Sequence, residues 1–409
     1  MNKNIKLAVA GAVLALSASA ANAGIIIPAG DWTVDISGNV NTFTTYTKGD
    51  DSDKATINGG LASGNSSNTV SNMTTGLLPH FLSVGGSTRQ NDIDVAFTIS
   101  IQPGTSNTKA FGNESGQNNR QAFLTFGDKS WGSIKVGKDL GIFASDAILS
   151  DMTLLGVGGG ASTVGNTTLG RIGSGYVYAD WKPQISYTTP NMNGFQATVA
   201  MTQGWNQTGA TSSVSLIGTN RASGSTAYEA KASYAFNAAG ADGKVWVSGI
   251  TQKQGAVVGI TYDDTVAYAG DIGANLNVAG FGLTGYYYNG SGMGTTGQFS
   301  DGYSTTGKQR DSDGGYVQAT YILPTKTKVG VSWGVSNLDK ASAEAGAATT
   351  AATQLVKSNE MWVVGVYHPL TKHLNLVAEY ANVQSEGHAT SGSTKAEYNS
   401  GSLGAILFF

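Results

Sequence analysis

Four histidines, His80, His368, His373 and His388, are the side chains of this sequence whose unperturbed charge changes near neutral pH. A hydrolytic dyad needs one of them within hydrogen-bond reach of a nucleophile or an acid held at a fixed position. His368 and His373 fall in one short connection, which leaves His80 alone as a candidate base, and a lone histidine argues for no enzyme. Cysteine is absent, so disulfides and thiolate metal sites are excluded. The acids Asp50, Asp51 and Asp53, and the pair Asp311 and Asp313, could attract calcium, but neither group has the twelve-residue spacing of an EF-hand. Both read as solvated turns. Gly158 to Gly160 is followed by no lysine and no helix pattern, so it is no phosphate loop. Neither a cofactor nor a metal is expected, and the chemistry left to this chain is electrostatic.

The elements that would carry such charges are announced at the amino terminus. Lys3 and Lys6, the apolar run Leu7 to Leu16 and the small-residue site Ala21-Asn22-Ala23 read as a secretory signal peptide over residues 1–23, with the mature domain spanning 24–409. Losing Lys3 and Lys6 leaves 22 basic residues against 27 acidic ones, a net charge of -5. That gives no basic footprint for nucleic acid. After Gly24 no window has the length of a membrane helix, although 40% of residues are hydrophobic. A secreted chain of this kind is either soluble or a β-barrel, which spreads its outward apolar residues over alternate positions. Gly 57, Tyr 17 and 12% charged residues favour the barrel.

Period-two alternation recurs from end to end. Val95, Phe97, Ile99 and Ile101 interleave with Asp94, Ala96, Thr98 and Ser100, and Ile272, Ala274, Leu276 and Val278 interleave with Asp271, Gly273, Asn275 and Asn277. Sixteen such segments fall near residues 32–46, 77–87, 92–102, 119–127, 132–138, 183–189, 194–203, 226–236, 243–252, 267–278, 281–289, 314–323, 327–338, 359–367, 374–385 and 398–409. Short connections such as Ala279-Gly280 take turns with long ones rich in Gly, Ser, Thr and Asn. A β-sandwich also alternates but has no reason to put its long loops at one end. The expectation is an all-β fold, a 16-stranded antiparallel transmembrane β-barrel with water in its lumen. Glu229, Lys231, Gln318, Asn375 and Glu379 would line it.

The last strand sets Leu403, Ala405, Leu407 and Phe409 on one face and ends on the aromatic. It resembles the C-terminal strand by which Gram-negative outer-membrane barrels are recognised for insertion, so the barrel-assembly machinery is an expected partner. The longest connection runs from Asp139 to Lys182. Around it Asn119-Arg120-Gln121-Ala122-Phe123, Gly132-Ser133-Ile134-Lys135-Val136-Gly137-Lys138, Ser150-Asp151-Met152 and Gly170-Arg171-Ile172-Gly173 resemble the general trimeric porins of Gram-negative bacteria. The resemblance implies an outer-membrane porin: a channel for passive diffusion of small hydrophilic solutes and ions, set among outer-membrane lipid and lipopolysaccharide, assembled as a homotrimer and narrowed by a third external loop, 139–182, folded inward. It also implies that Asp146 and Asp151 on the loop face Arg120 and Arg171 across the constriction, and that Glu114 on the second loop latches a neighbouring subunit, with Lys138 or Arg171 as its partner. Where the family often carries a second acid, this chain has Thr153-Leu154-Leu155, so its constriction should be less polarised.

Strict alternation with Leu124 and Phe126 puts Arg120 on the outer side unless a bulge intervenes. A rim position against lipid phosphate or a neighbouring subunit is therefore its alternative role, as a loop-anchoring ion pair is for Arg171 and free solvation for Glu114, Asp146 and Asp151. A solute-specific channel, and a closed barrel acting as adhesin or structural anchor, remain the alternative functions.

Overall fold

The computed structural model describes residues 24–409 apart from 63–68, 106–116, 160–162, 165–166, 206–224, 239, 256–263, 305–306, 345–353 and 390–391. Twenty strands share one sheet. Sixteen are its staves: Trp32–Lys54, Phe81–Gln90, Ile93–Pro103, Ala122–Asp128, Gly132–Leu140, Trp181–Thr188, Phe195–Gln203, Thr226–Ala238, Ala241–Gln254, Thr265–Val278, Phe281–Ser291, Asp311–Ile322, Lys328–Leu338, Gln354–Pro369, Leu374–Gly387 and Lys395–Phe408. Each pairs antiparallel with the next, and the last returns to the first in a register running from Asn39 opposite Phe408 to Gly49 opposite Tyr398. The cylinder is closed.

Every segment expected from alternation overlaps one stave. The first stave runs beyond the expected residue 46 to Lys54 because backbone pairing continues above the level at which an apolar face is required. The amino-terminal strand Ile25–Ala29 carries no alternation signal of its own and was not among the expected segments. It folds back on Trp32 to Ile36 around Gly30, whose φ of 64° suits a residue without a Cβ. Gly38 and Phe409 exchange backbone hydrogen bonds of 2.8 and 3.0 Å beside it. The amino-terminal strand and the last residue therefore both lie beside the first stave.

The two faces of the wall separate as alternation requires. Val245 and Val247 point outward, 44% and 48% exposed, while Trp246 between them is 2% exposed on the inner side. On the last stave Leu403 and Leu407 are outward, and Ile406 and Phe408 are buried inside. Inside, the wall is not polar throughout. Met361, Val363, Val377, Val383 and Tyr398, with Phe43 of the first stave, pack against Ile57, Ala62 and Val157. The segment around Leu61 is pinned there, Leu61 N donating to Asn359 Oδ1 at 2.9 Å and Ala62 N to Ser385 Oγ at 3.0 Å. Continuous apolar runs such as Met361-Trp362-Val363-Val364 allow this, since they furnish both faces at once. Each fully buried side chain of this size contributes roughly 1.5–3 kcal/mol, enough to hold a loop against the wall.

Candidate pore constriction

The chain leaves the wall after Leu140 and rejoins it at Trp181, and Gly141 N donating to Asp180 O at 2.7 Å closes the neck of this long loop. Inside the neck lie a helix, Ser145–Ser150, and a 3-10 turn, Met152–Leu155. The helix has no side-chain cap of its own, and Ala144 before it takes a left-handed φ of 61°. The wall replaces the cap: Ala144 N donates to Asp271 Oδ2 at 3.1 Å and to Ser248 Oγ at 3.3 Å.

Three further inward side chains hold the loop by its backbone. Glu229 Oε2 accepts from Ile142 N and Phe143 N at 2.8 and 2.9 Å. Gln318 accepts from Met152 N at 2.7 Å through Oε1 and donates through Nε2 to Ser150 O at 3.2 Å. Glu379 Oε2 accepts from Val157 N and Gly158 N at 2.7 and 2.8 Å. These five staves fix successive points along the loop. Between the points, Phe143, Ile148, Tyr176 and Val177 pack on Trp246, Tyr286 and Tyr316. Buried loop N–H groups left unpaired would each cost about 1–3 kcal/mol, so the carboxylates and amide set the path and the apolar packing holds it.

The charged residues singled out in the sequence take distinct positions. Asp146, on the helix, forms an ion pair of 2.9 Å with Lys231 and a second one with Lys244. Burial pushes its carboxyl up, but the two ammonium groups outweigh that effect and hold it below the usual range. Asp151 is 4% exposed and accepts from Thr153 N at 3.0 Å, Thr153 Oγ1 at 2.7 Å and Tyr176 OH at 2.9 Å. Arg171 is fully buried, donating through Nη1 to Met361 O at 2.9 Å with its guanidinium 5.8 Å from the Tyr316 ring centre. Arg120 lies in a break between the strand Gln117–Asn118 and Ala122–Asp128, its guanidinium 5.8 Å from the Trp181 ring centre. That break suspends the alternation that would have fixed its side. Lys138 donates to Asn119 O at 2.8 Å. Glu114 lies outside the described residues. His80 accepts from Asn41 N at 3.0 Å through Nδ1 and touches Thr105 through Nε2; burial lowers its pKa, and among the described residues no acid is bonded to it.

A cavity of about 590 Å³ remains between the loop and the staves nearest its neck. Its wall side carries Gln102, Arg120, Gln121 and Lys138; its loop side carries Leu149, Leu154 and Leu169, with Leu78 beside them. Alternation had put Glu229, Lys231 and Glu379 on the inner face without giving them a loop to hold. Lys182, whose ammonium meets Glu229 Oε1 at 2.7 Å, carried no signal beyond its place at the loop's end.

The family profile for Gram-negative porins matches residues 9–388. Among curated proteins, none matches the chain. Several solved outer-membrane proteins are similar in structure. The outer-membrane channel DcaP of Acinetobacter baumannii has a TM-score of 0.66 at 17% identity, covering 95% of this chain and 100% of its own. An anion-selective porin from Comamonas acidovorans has a TM-score of 0.61 at 15% identity, with 92% and 100% covered. The trimer form of OmpT from Vibrio cholerae, an outer-membrane protein folded in vitro, has a TM-score of 0.56 at 13% identity, with 92% and 99% covered. With the profile spanning nearly the whole sequence and the closed cylinder in place, the chain belongs to the Gram-negative porin family.

Proposed function

We infer that this protein is an outer-membrane channel through which small hydrophilic solutes and ions diffuse passively, and that the loop between Leu140 and Trp181 sets its narrowest part. The observation that carries this reading is the docking of that loop on Glu229, Asp271, Gln318 and Glu379, inside a closed sixteen-stranded wall. Conductance of purified protein in planar bilayers is the test; silent bilayers would remove the channel reading.

Within it, Arg120 stands beside the passage, Asp146 acts with Lys231 and Lys244, and the buried Asp151 and Arg171 shape the loop from within. The chain forms a homotrimer, in which Glu114 and Lys138 serve the contact between subunits, and conductance then rises in steps of three. Lipopolysaccharide surrounds the outer rim, and the last strand through Phe409 is read by the assembly machinery. Family and fold point to a channel rather than an enzyme; turnover of lipid or peptide that disappears in His80→Ala would overturn that part.

Cleavage after Ala23 leaves an ammonium group at Gly24. A side-chain carbon built at Gly24 would lie 2.7 Å from Asp35 Oδ2, so the new terminus arises beside a carboxylate and ties the amino-terminal strand to the first stave.

A solute-specific channel is favoured by one feature, the cavity with leucines on one side and Arg120 and Lys138 on the other.

A further inference from the structure

Six carboxylates at the level of the loop are shut away from water. Asp139, Asp146, Asp151, Glu229, Asp271 and Glu379 are each at most 8% exposed. Loop N–H groups, hydroxyls, an amide and lysines bond to each of them. On the same wall Lys135, Lys231 and Lys244 keep 27%, 22% and 31% of their side chains exposed. Lys244 follows shortly after the turn at Gly240, so it and Lys231 stand between the loop helix and the short-turn end. Beside the loop, Arg120, Lys138 and one acid, Asp180, line the cavity whose opposite side is Leu149, Leu154 and Leu169.

We propose that the channel passes organic anions with an apolar body, such as ring carboxylates, in preference to cations of the same shape, with Lys231, Lys244 and Arg120 as the residues that set the preference. This rests on the channel reading above. A carboxylate buried in the seam between loop and wall acts on a solute from behind its own donors, whereas an ammonium group that reaches water acts at contact distance. Coulomb energy falls with distance, and a narrow passage with low-dielectric walls strengthens what is near. The net charge of the chain is negative, yet these groups keep a positive balance: Lys231 and Lys244 share one acid, Asp146, and Arg120 and Lys138 stand with one, Asp180. The leucines then give the carbon body of such an anion a surface that excludes water.

Reversal potentials across bilayers holding the purified full-length channel test this, with benzoate and benzylammonium as probes of similar shape and shikimate as a hydroxyl-bearing ring carboxylate. Benzoate should pass about tenfold faster than benzylammonium, a factor of the size that one nearby unit charge supplies, and faster than shikimate. The variant carrying Lys231→Gln and Lys244→Gln should bring the benzoate to benzylammonium ratio toward one. Arg120→Gln, which leaves the loop's anchors untouched, should lower it on its own. Benzylammonium passing as fast as benzoate in the unaltered protein overturns the charge preference, and shikimate matching benzoate overturns the apolar one. A ratio unmoved in both variants removes these residues as its source, while the absence of any conductance overturns the channel reading instead.

Discussion

Lys182 Nζ meets Glu229 Oε1 at 2.7 Å where neither side chain touches solvent. The same carboxylate accepts from Thr202 Oγ1 at 2.9 Å and, through its other oxygen, from two loop N–H groups. The ion pair therefore ties the start of the loop to two separate staves. Removing Glu229 strands both a buried ammonium and the loop backbone. Glu229→Ala should cost about 3–5 kcal/mol, the usual penalty for an uncompensated buried charge, and should make single-channel current noisier as the loop loosens. Joint replacement, Lys182→Met with Glu229→Leu, should recover part of the stability in urea titration but not the quiet current.

Asp146 makes loop docking sensitive to acid in a defined direction. Its pKa in the folded protein lies below the usual value, so its contribution is fully present above about pH 4 and is lost as pH falls through the lower folded value. Thermal unfolding followed from pH 6 down to pH 3 should show a loss of stability only at the acid end. In Asp146→Asn that acid step should shrink.

Asp151→Asn should disturb the loop more than the ion preference. The carboxylate accepts three hydrogen bonds from Thr153 and Tyr176, and an amide replaces one accepting oxygen by a donor that meets the Tyr176 or Thr153 hydroxyl. A loss of about 1–3 kcal/mol is expected. Reversal potentials should move less than in the variant carrying Lys231→Gln and Lys244→Gln, because Asp151 is buried.

The mature terminus should reveal itself by pH. If the Gly24 ammonium pairs with Asp35, the heat stability of the folded barrel should decline as pH rises past about 8, where α-amino groups lose their proton. Asp35→Asn should be less stable at neutral pH and should lack that decline. Terminal sequencing that finds residues before Gly24 would remove the premise.

Phe409 closes the cylinder through two backbone hydrogen bonds with Gly38. Deleting it should leave export intact and reduce the fraction of protein that assembles, measured by resistance of the folded form to protease. Unchanged assembly would contradict the role given to the last strand.

The sequence by itself determined the number, order and outward face of the staves. Alternation is local: Val245, Trp246 and Val247 declare their sides with no knowledge of the rest of the chain, and the short connections fix which strands are neighbours. Resemblance added the inward fold of the long loop and the roles of its charges. Only the tertiary structure decided which charges are buried and which reach water, because that depends on contacts far apart in the chain, such as Val157 with Glu379 and Lys244 with Asp146. Asp151 and Arg171 read in sequence as opposed charges across an opening, yet both are buried once the loop packs. A carboxylate's type is written in the residue; whether water or a ring of donors surrounds it is settled by what the fold brings alongside.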